Sequence, residues 1–248
     1  NSRVVETAGG LVIIAAGSAS ELLNSVIKNT GSISANSIVN NGGQVFLQSS
    51  ALSNSGGISA NGQRNGGTIT LLADGIHLLS GSKIQARSNN GNGGAINIGA
   101  NNAKVAPDGT FASRSPTFLA NTVALDGNSS IDASVIGAAG HGGVINILSA
   151  VKTVVAGVIN AIGGSVSGNG GAILTGSRGG LEVLAGTSVN AGASNGKIGT
   201  WTLLNPTGLS VDATTANAIA NTLTTTNVTL TTNQTGCANF GGCQNSVF

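Results

Sequence analysis

The chain has almost no charge and almost no aromatic side chains. Of its 248 residues, 7% are charged and 2% aromatic, with five Phe, one Trp and no Tyr. Cysteine occurs twice, proline three times and methionine not at all. Each scarcity excludes something. A chain so poor in Glu, Lys and Arg cannot carry the heptads of a helical bundle, and three prolines cannot make a collagen. Disorder combines low hydrophobicity with high net charge, whereas 40% of these residues are hydrophobic and the formal net charge is +2. The basic residues are spread from Arg3 to Lys197 without a cluster, so the sequence pI of 8.8 reflects scarce charge and not a face for nucleic acid. The apolar run from Leu11 to Ala16 is far short of the ~18 residues of a spanning helix. With no Met and no basic, then apolar, opening segment, the chain reads as a mature or trimmed piece whose export signal would lie upstream of Asn1.

What is abundant is glycine, at 40 residues, more than twice the usual ~7%. The glycines recur in pairs followed by alternating apolar residues. Gly42-Gly43-Gln44-Val45-Phe46-Leu47, Gly66-Gly67-Thr68-Ile69-Thr70-Leu71, Gly93-Gly94-Ala95-Ile96-Asn97-Ile98, Gly142-Gly143-Val144-Ile145-Asn146-Ile147 and Gly170-Gly171-Ala172-Ile173-Leu174-Thr175 are the clear copies. Between them lies a second element ending in Ile-x-Ala or Val-x-Ala, at Ile33 to Ala35, Ile58 to Ala60, Ile84 to Ala86, Ile131 to Ala133, Ile159 to Ala161 and Val189 to Ala191. From one second glycine to the next the steps are 24, 27, 49 and 28 residues. The long step is a normal unit with an insertion, because Asn121 to Ala133 aligns with Asp74 to Ala86 and leaves about 22 extra residues, Ala100 to Asn121.

A unit of ~25 residues cannot bury its own apolar positions, but stacked units share one core and pair each strand with its copy above and below. The expected fold is all-β, a parallel β-helix (β-solenoid) of roughly nine coils, about 40 to 45 Å long at strand spacing. Its inward positions are Val, Ile, Leu and Ala. Glycine at the corners is expected to supply positive φ and close backbone approach. Asn61, Asn65, Asn89, Asn90, Asn92, Asn169 and Asn195 mark turns, where an amide bonds its own backbone or a stacked copy. The repeats occupy 1–200. Residues 201–248 form a variant end or cap, with Trp201, a Thr-rich stretch and a cysteine pair; Ala216 to Leu223 reads as a short helix or a loop over one face.

The alternation of Asn29-Thr30-Gly31-Ser32-Ile33-Ser34-Ala35 and Asn54-Ser55-Gly56-Gly57-Ile58-Ser59-Ala60 with the Gly-Gly strands resembles the repeats of filamentous-haemagglutinin-type exoproteins. These are the secreted partners of two-partner secretion systems in Gram-negative bacteria. The segment Gly199 to Val211 and the later strand Asn227-Val228-Thr229-Leu230-Thr231-Thr232 resemble a recurrent stretch of that family, with Leu204-Asn205 where the family commonly has Asp before Pro. The resemblance implies a right-handed β-helix, passage through an outer-membrane β-barrel transporter, display at the outer cell surface, and a role in adhesion, aggregation or biofilm. The family's N-terminal Asn-Pro-Asn-Gly-Ile-type secretion motif is absent, so the chain would lie downstream of the segment that meets the transporter.

Cys237 and Cys243 flank Phe240, Gly241 and Gly242, and in an exported protein the pair reads as a small-loop disulfide pinning the C-terminal cap. Free thiols and a metal site are the other readings, and no His lies nearby in sequence. The resemblance adds a role in retention at the transporter. His77 and His141 lack a nucleophile motif, and the carboxylates Glu6, Glu21, Asp74, Asp108, Asp126, Asp132, Glu182 and Asp212 are too few for calcium nonapeptides and not clustered as a lyase or hydrolase site needs. Asp132, alternating with inward Ile131, is expected to face water. No cofactor is implied. The inserted segment, with Phe111, Arg114 and Phe118, reads either as a recognition loop for a host-cell or matrix glycan or protein, or as a cover for one face of the rod. The first coil, Val4 to Ala16, shows no cap, so the rod is expected either to continue or to associate end to end. The function expected is thus a non-catalytic structural or adhesive segment. The competing reading is a β-helical carbohydrate-active enzyme fragment, a lyase or hydrolase.

Overall fold

A computed structural model describes Asn1, residues 3–15, 25–101 and 118–232, and the backbone of 246–247. The chain is an all-β parallel solenoid of about seven turns, with one short helix among the described residues. Three ladders run along it. The first joins Val4–Glu6, Ser32–Ser34, Gly57–Ser59, Lys83–Gln85, Ser130–Asp132, Val158–Asn160 and Ser188–Asn190. The second joins the strands after the glycine pairs: Leu11–Ala15, Gln44–Gln48, Thr68–Leu72, Ala95–Ile98, the first half of Val144–Val155, Ala172–Ser177, Thr200–Leu204 and Asn227–Thr231. The third joins Val26–Asn29, Ala51–Asn54, Gly75–Leu78, Ala120–Leu125, the second half of Val144–Val155 and Gly180–Val183.

Register follows the repeat. Ile33, Ile58, Ile84, Ile131, Ile159 and Val189 stack as one column, and Val45, Ile69, Ile96, Ile145 and Ile173 as another; all are buried. Across the insertion, Thr122 pairs with Gly75 and Ile131 with Ile84, the register of the aligned segments. The number of turns is about seven and not nine: among the described residues after Gly199, the parallel strands Thr200–Leu204 and Asn227–Thr231 extend only the second ladder. Where the next turn would place its other strands, the helix Ala213–Thr222 packs Ala218 and Ile219 into the core, against Ser188–Asn190 and Gly180–Val183. Asp212 caps the helix, its Oδ1 accepting from the Thr215 N–H at 2.8 Å, a bond that holds its carboxyl below the usual carboxylate range. Thr226 completes the cap. Its buried hydroxyl accepts from the Ala191 N–H at 2.7 Å, whereas Ala35, Ala60 and Ala86 donate to carbonyls of the following coil.

The glycine pairs have one cause and not two. None of them has positive φ; the described positive-φ glycines, Gly9, Gly81, Gly99, Gly140, Gly157, Gly168, Gly186 and Gly208, lie at other turns. At the pairs the backbones of successive coils touch. A Cβ on Gly42 would overlap the Ala60 carbonyl oxygen and sit 2.6 Å from the Gly67 nitrogen, and one on Gly43 would overlap the Gly10 carbonyl oxygen. The second glycine also donates to the alanine of the first ladder in its own coil, Gly43 to Ala35 and Gly94 to Ala86 at 2.7 Å, Gly143 to Ala133 at 2.8 Å. That bond closes each turn and ties the two sequence elements together.

Polar residues enter this core in columns that satisfy one another. Asn29 donates to Asn54 at 2.7 Å and Asn54 to Ser82 at 2.6 Å, all three buried. At the corner before the glycine pairs, Asn65 donates to Asn41 at 2.9 Å, and the backbone N–H groups of Asn92 and His141 donate to the Asn65 and Asn92 side chains at 2.8 and 2.9 Å. His141 takes the place of an asparagine. Its Nδ1 accepts from the Asn169 N–H at 2.8 Å, and the Asn169 side chain accepts from the Lys197 N–H at 3.0 Å.

Candidate functional site

A parallel ladder sets outward side chains one strand spacing apart, so any surface site must come from residues on neighbouring coils or from departures from the repeat. The insertion is the largest departure. Ala100 and Leu119 form an antiparallel bridge, the Ala120 N–H donates to the Gly99 carbonyl at 2.6 Å, and the Asn101 side chain accepts from the Phe118 N–H at 2.9 Å. These bonds pinch the base of the loop. Phe118, read either as part of a recognition loop or as cover for one face of the rod, is half-buried and packs against the main core. Leu119 packs on a separate external cluster of Ala100, Leu148, Leu174 and Leu204. Phe118 is thus an anchor of the loop. Phe111 and Arg114, like Cys237 and Cys243, lie outside the described residues.

The external cluster was legible in one letter of the repeat. Leu174 occupies the outward position that holds Thr70, Asn97 and Asn146 in earlier coils, and a leucine there needs cover. A second departure is a corner groove of about 270 Å³ lined by Ile38, Gln63, Asn89, Ile136 and Arg87. Ile38 is 90% exposed, and Asn89 donates to Gln63 at 2.7 Å between the two isoleucines. Arg87 reaches Gln85 at 3.3 Å and lies 3.9 Å from Asp132. A third is a cleft of about 420 Å³ between the helix and residues 185–189, lined by Thr214, Asn217, Asn221, Thr187 and Ser188, with no charged side chain.

Three charged pairs form among the described residues. His77 Nε2 and Asp126 Oδ1 are 2.7 Å apart on the surface, and the Ser80 N–H donates to the other carboxylate oxygen at 3.0 Å. The hydrogen bond from His77, with the Ser80 bond and the His77 charge adding to it against slight burial, holds the Asp126 carboxyl below its usual value. Lys152 and Glu182 meet at 2.7 Å on exposed side chains, a pairing worth little in water. Asp132 does not simply face water. Its side chain is mostly covered, accepts from the Ser134 N–H at 2.9 Å and lies beside Arg87. Among the described residues no three His, Cys, Asp or Glu converge, and Asp126 and Asp132, near in sequence, serve different partners. The arrangement offers ladders with few charges, one pinched loop and two surface hollows. Among the described residues no helix is long and apolar enough to cross a membrane. No protein family, curated protein or solved structure matches the chain.

Proposed function

We propose that the chain is a rod-forming, non-catalytic segment of a secreted bacterial surface protein of the filamentous-haemagglutinin type, displayed outside a Gram-negative cell and used in adhesion, aggregation or biofilm. The observation that carries the reading is a ladder-built solenoid with an inserted loop whose two ends are bonded together at Ala100 and Leu119. Such a loop can vary without disturbing the ladders, which suits contact with a host-cell or matrix glycan or protein. In this reading the chain travels through an outer-membrane barrel with the segment upstream of it, and folds outside the cell by stacking turn on turn.

End-to-end association belongs to the first turn. Val4, Leu11, Ile13 and Val26 are exposed there on strands paired along one edge, whereas a copy adding at the other end would have to displace the helix from Ser188–Asn190.

Beads coated with the chain are expected to be retained on host-cell or extracellular-matrix surfaces. Replacing residues 102–117 by a short Gly-Ser linker between Asn101 and Phe118 should weaken retention at least about tenfold, the scale of losing a central contact, with the far-UV spectrum unchanged. Unchanged retention would remove the loop from the reading. Depolymerisation of a polysaccharide by the purified chain would overturn the reading itself.

A further inference from the structure

The sequence holds seven Asn-Gly pairs, at Asn41, Asn61, Asn65, Asn90, Asn92, Asn169 and Asn195. In an Asn-Gly pair the glycine nitrogen can attack the asparagine side-chain amide, because no Cβ blocks the approach. The reaction needs that nitrogen free, the side chain free and a backbone able to move.

The solenoid withholds these conditions from five of the pairs. Gly42, Gly62, Gly66, Gly93 and Gly170 each donate their N–H to a carbonyl of the next coil, those of Asn65, Arg87, Asn92, His141 and Lys197, at 2.8 to 2.9 Å. Asn41, Asn61, Asn65, Asn92 and Asn169 also have their side chains engaged by neighbouring coils. Asn90 is intermediate. Its own N–H donates to the Gln63 carbonyl at 3.0 Å and Gly91 is half-buried, though the Gly91 N–H is unbonded. Asn195 has none of these restraints. It and Gly196 are exposed, and the Asn195 side chain and the N–H groups of both residues make no hydrogen bond among the described residues.

We propose that Asn195 is a site of spontaneous modification, converting to aspartate and isoaspartate through a cyclic imide, and that stacking of the coils protects the five Asn-Gly pairs whose glycine N–H and asparagine side chain it engages. The Gly196 nitrogen loses its proton and bonds to the Asn195 side-chain carbonyl carbon, and the amide nitrogen leaves as ammonia. Water then opens the five-membered imide at either carbonyl. One opening gives aspartate; the other gives isoaspartate, with an extra methylene in the main chain. Either product places a carboxylate two residues before Lys197, on a chain with only eight acidic residues. The isoaspartate also lengthens the backbone at the corner where Gly196 packs on the Gly168 carbonyl.

The test is peptide mapping by mass spectrometry after incubating the purified, folded chain in mildly alkaline buffer, with isoaspartate counted by methyl transfer from labelled S-adenosylmethionine using a protein isoaspartyl methyltransferase. Conversion at Asn195 is expected to run at least about tenfold faster than at Asn65, Asn92 or Asn169, whose reaction must wait for local opening of the coil. In denaturant the seven pairs should react at similar rates, and Asn195→Gln should abolish most methyl acceptance by the folded chain. Equal rates in the folded chain, or faster conversion within the corner column than at Asn195, would overturn the proposal.

Discussion

Gly143→Ala is expected to leave the chain unfolded under conditions where the parent is stable. The added Cβ would overlap the Gly94 carbonyl oxygen of the preceding coil and lie 2.8 Å from the Gly93 carbonyl carbon and 2.9 Å from the Ala133 Cβ. None of these atoms ends a flexible side chain, and the spacing between coils cannot open locally. The Val144 N–H is bonded to that same Gly94 oxygen at 2.9 Å, and the Gly143 N–H to Ala133 at 2.8 Å. Relief therefore requires breaking the ladder in the middle of the rod. The cost belongs with the most destabilising single substitutions, above ~4 kcal/mol, against a total stability of ~5–15 kcal/mol for an ordinary domain. Gly127→Ala is the control, since a Cβ there meets nothing within 4 Å and φ is not positive; its effect should stay below ~1 kcal/mol. Urea midpoints read by circular dichroism separate the two. A folded Gly143→Ala chain with the parent midpoint would mean that the corners are not packed backbone on backbone.

The second large effect is expected at Trp201, the only tryptophan. It replaces the Ile and Val of its column, stacked on Ile173 and under Val228, and is fully buried in the lumen. Its indole N–H donates to the Thr175 hydroxyl at 3.0 Å. Thr175 in turn stands in a column otherwise of Leu47, Leu71, Ile98, Ile147, Leu203 and Leu230. A wide ring with a polar atom and a threonine in a leucine position thus explain each other. Trp201→Ala should cost ~3–5 kcal/mol through the cavity it leaves. Thr175→Val, which leaves a buried N–H without an acceptor, should cost ~1–3 kcal/mol. Adding Trp201→Phe to Thr175→Val should then cost less than the two single changes summed, because the orphaned donor is gone. Full additivity would show that the bond contributes nothing.

Most of the architecture was readable because inward positions recur with the coil. The Ile-x-Ala and Gly-Gly elements landed on separate ladders, and the alignment across the long step gave the register of Thr122 on Gly75. What escaped the sequence reading depended on contacts between coils or on the end of the rod. At the glycine pairs the close backbone approach was expected and is what requires them, through the oxygen of a neighbouring coil tens of residues away, whereas the positive φ expected beside it falls on other glycines. The helix Ala213–Thr222 left the expectation open because its Thr-rich sequence has a weak apolar face, and its place is set by Ala218 and Ile219 closing the lumen. Asp132 was misjudged for one reason. Alternation says which way a side chain leaves the strand, not what covers it afterwards. The functional surface was the least legible part, since a groove such as that of Ile38, Gln63, Asn89 and Ile136 is assembled from one residue per coil.

The central claim is that the coils are equivalent rungs, each held only by its neighbours. Excising residues 68–94 tests it most directly, because the register of Thr68 with Ala95 makes this segment one full turn. After excision Ser129 would take the place of Ser82 below Asn54, since Ser130 pairs with Lys83, and His141 would continue the corner column from Asn65. The shortened chain is expected to unfold cooperatively, with the far-UV spectrum per residue retained and the urea dependence reduced in proportion to the surface removed. Excising residues 68–81, about half a turn, should leave no cooperative transition. If the full-turn excision unfolds the chain while the half-turn excision does not, the rungs are not interchangeable and the stacked-coil account fails.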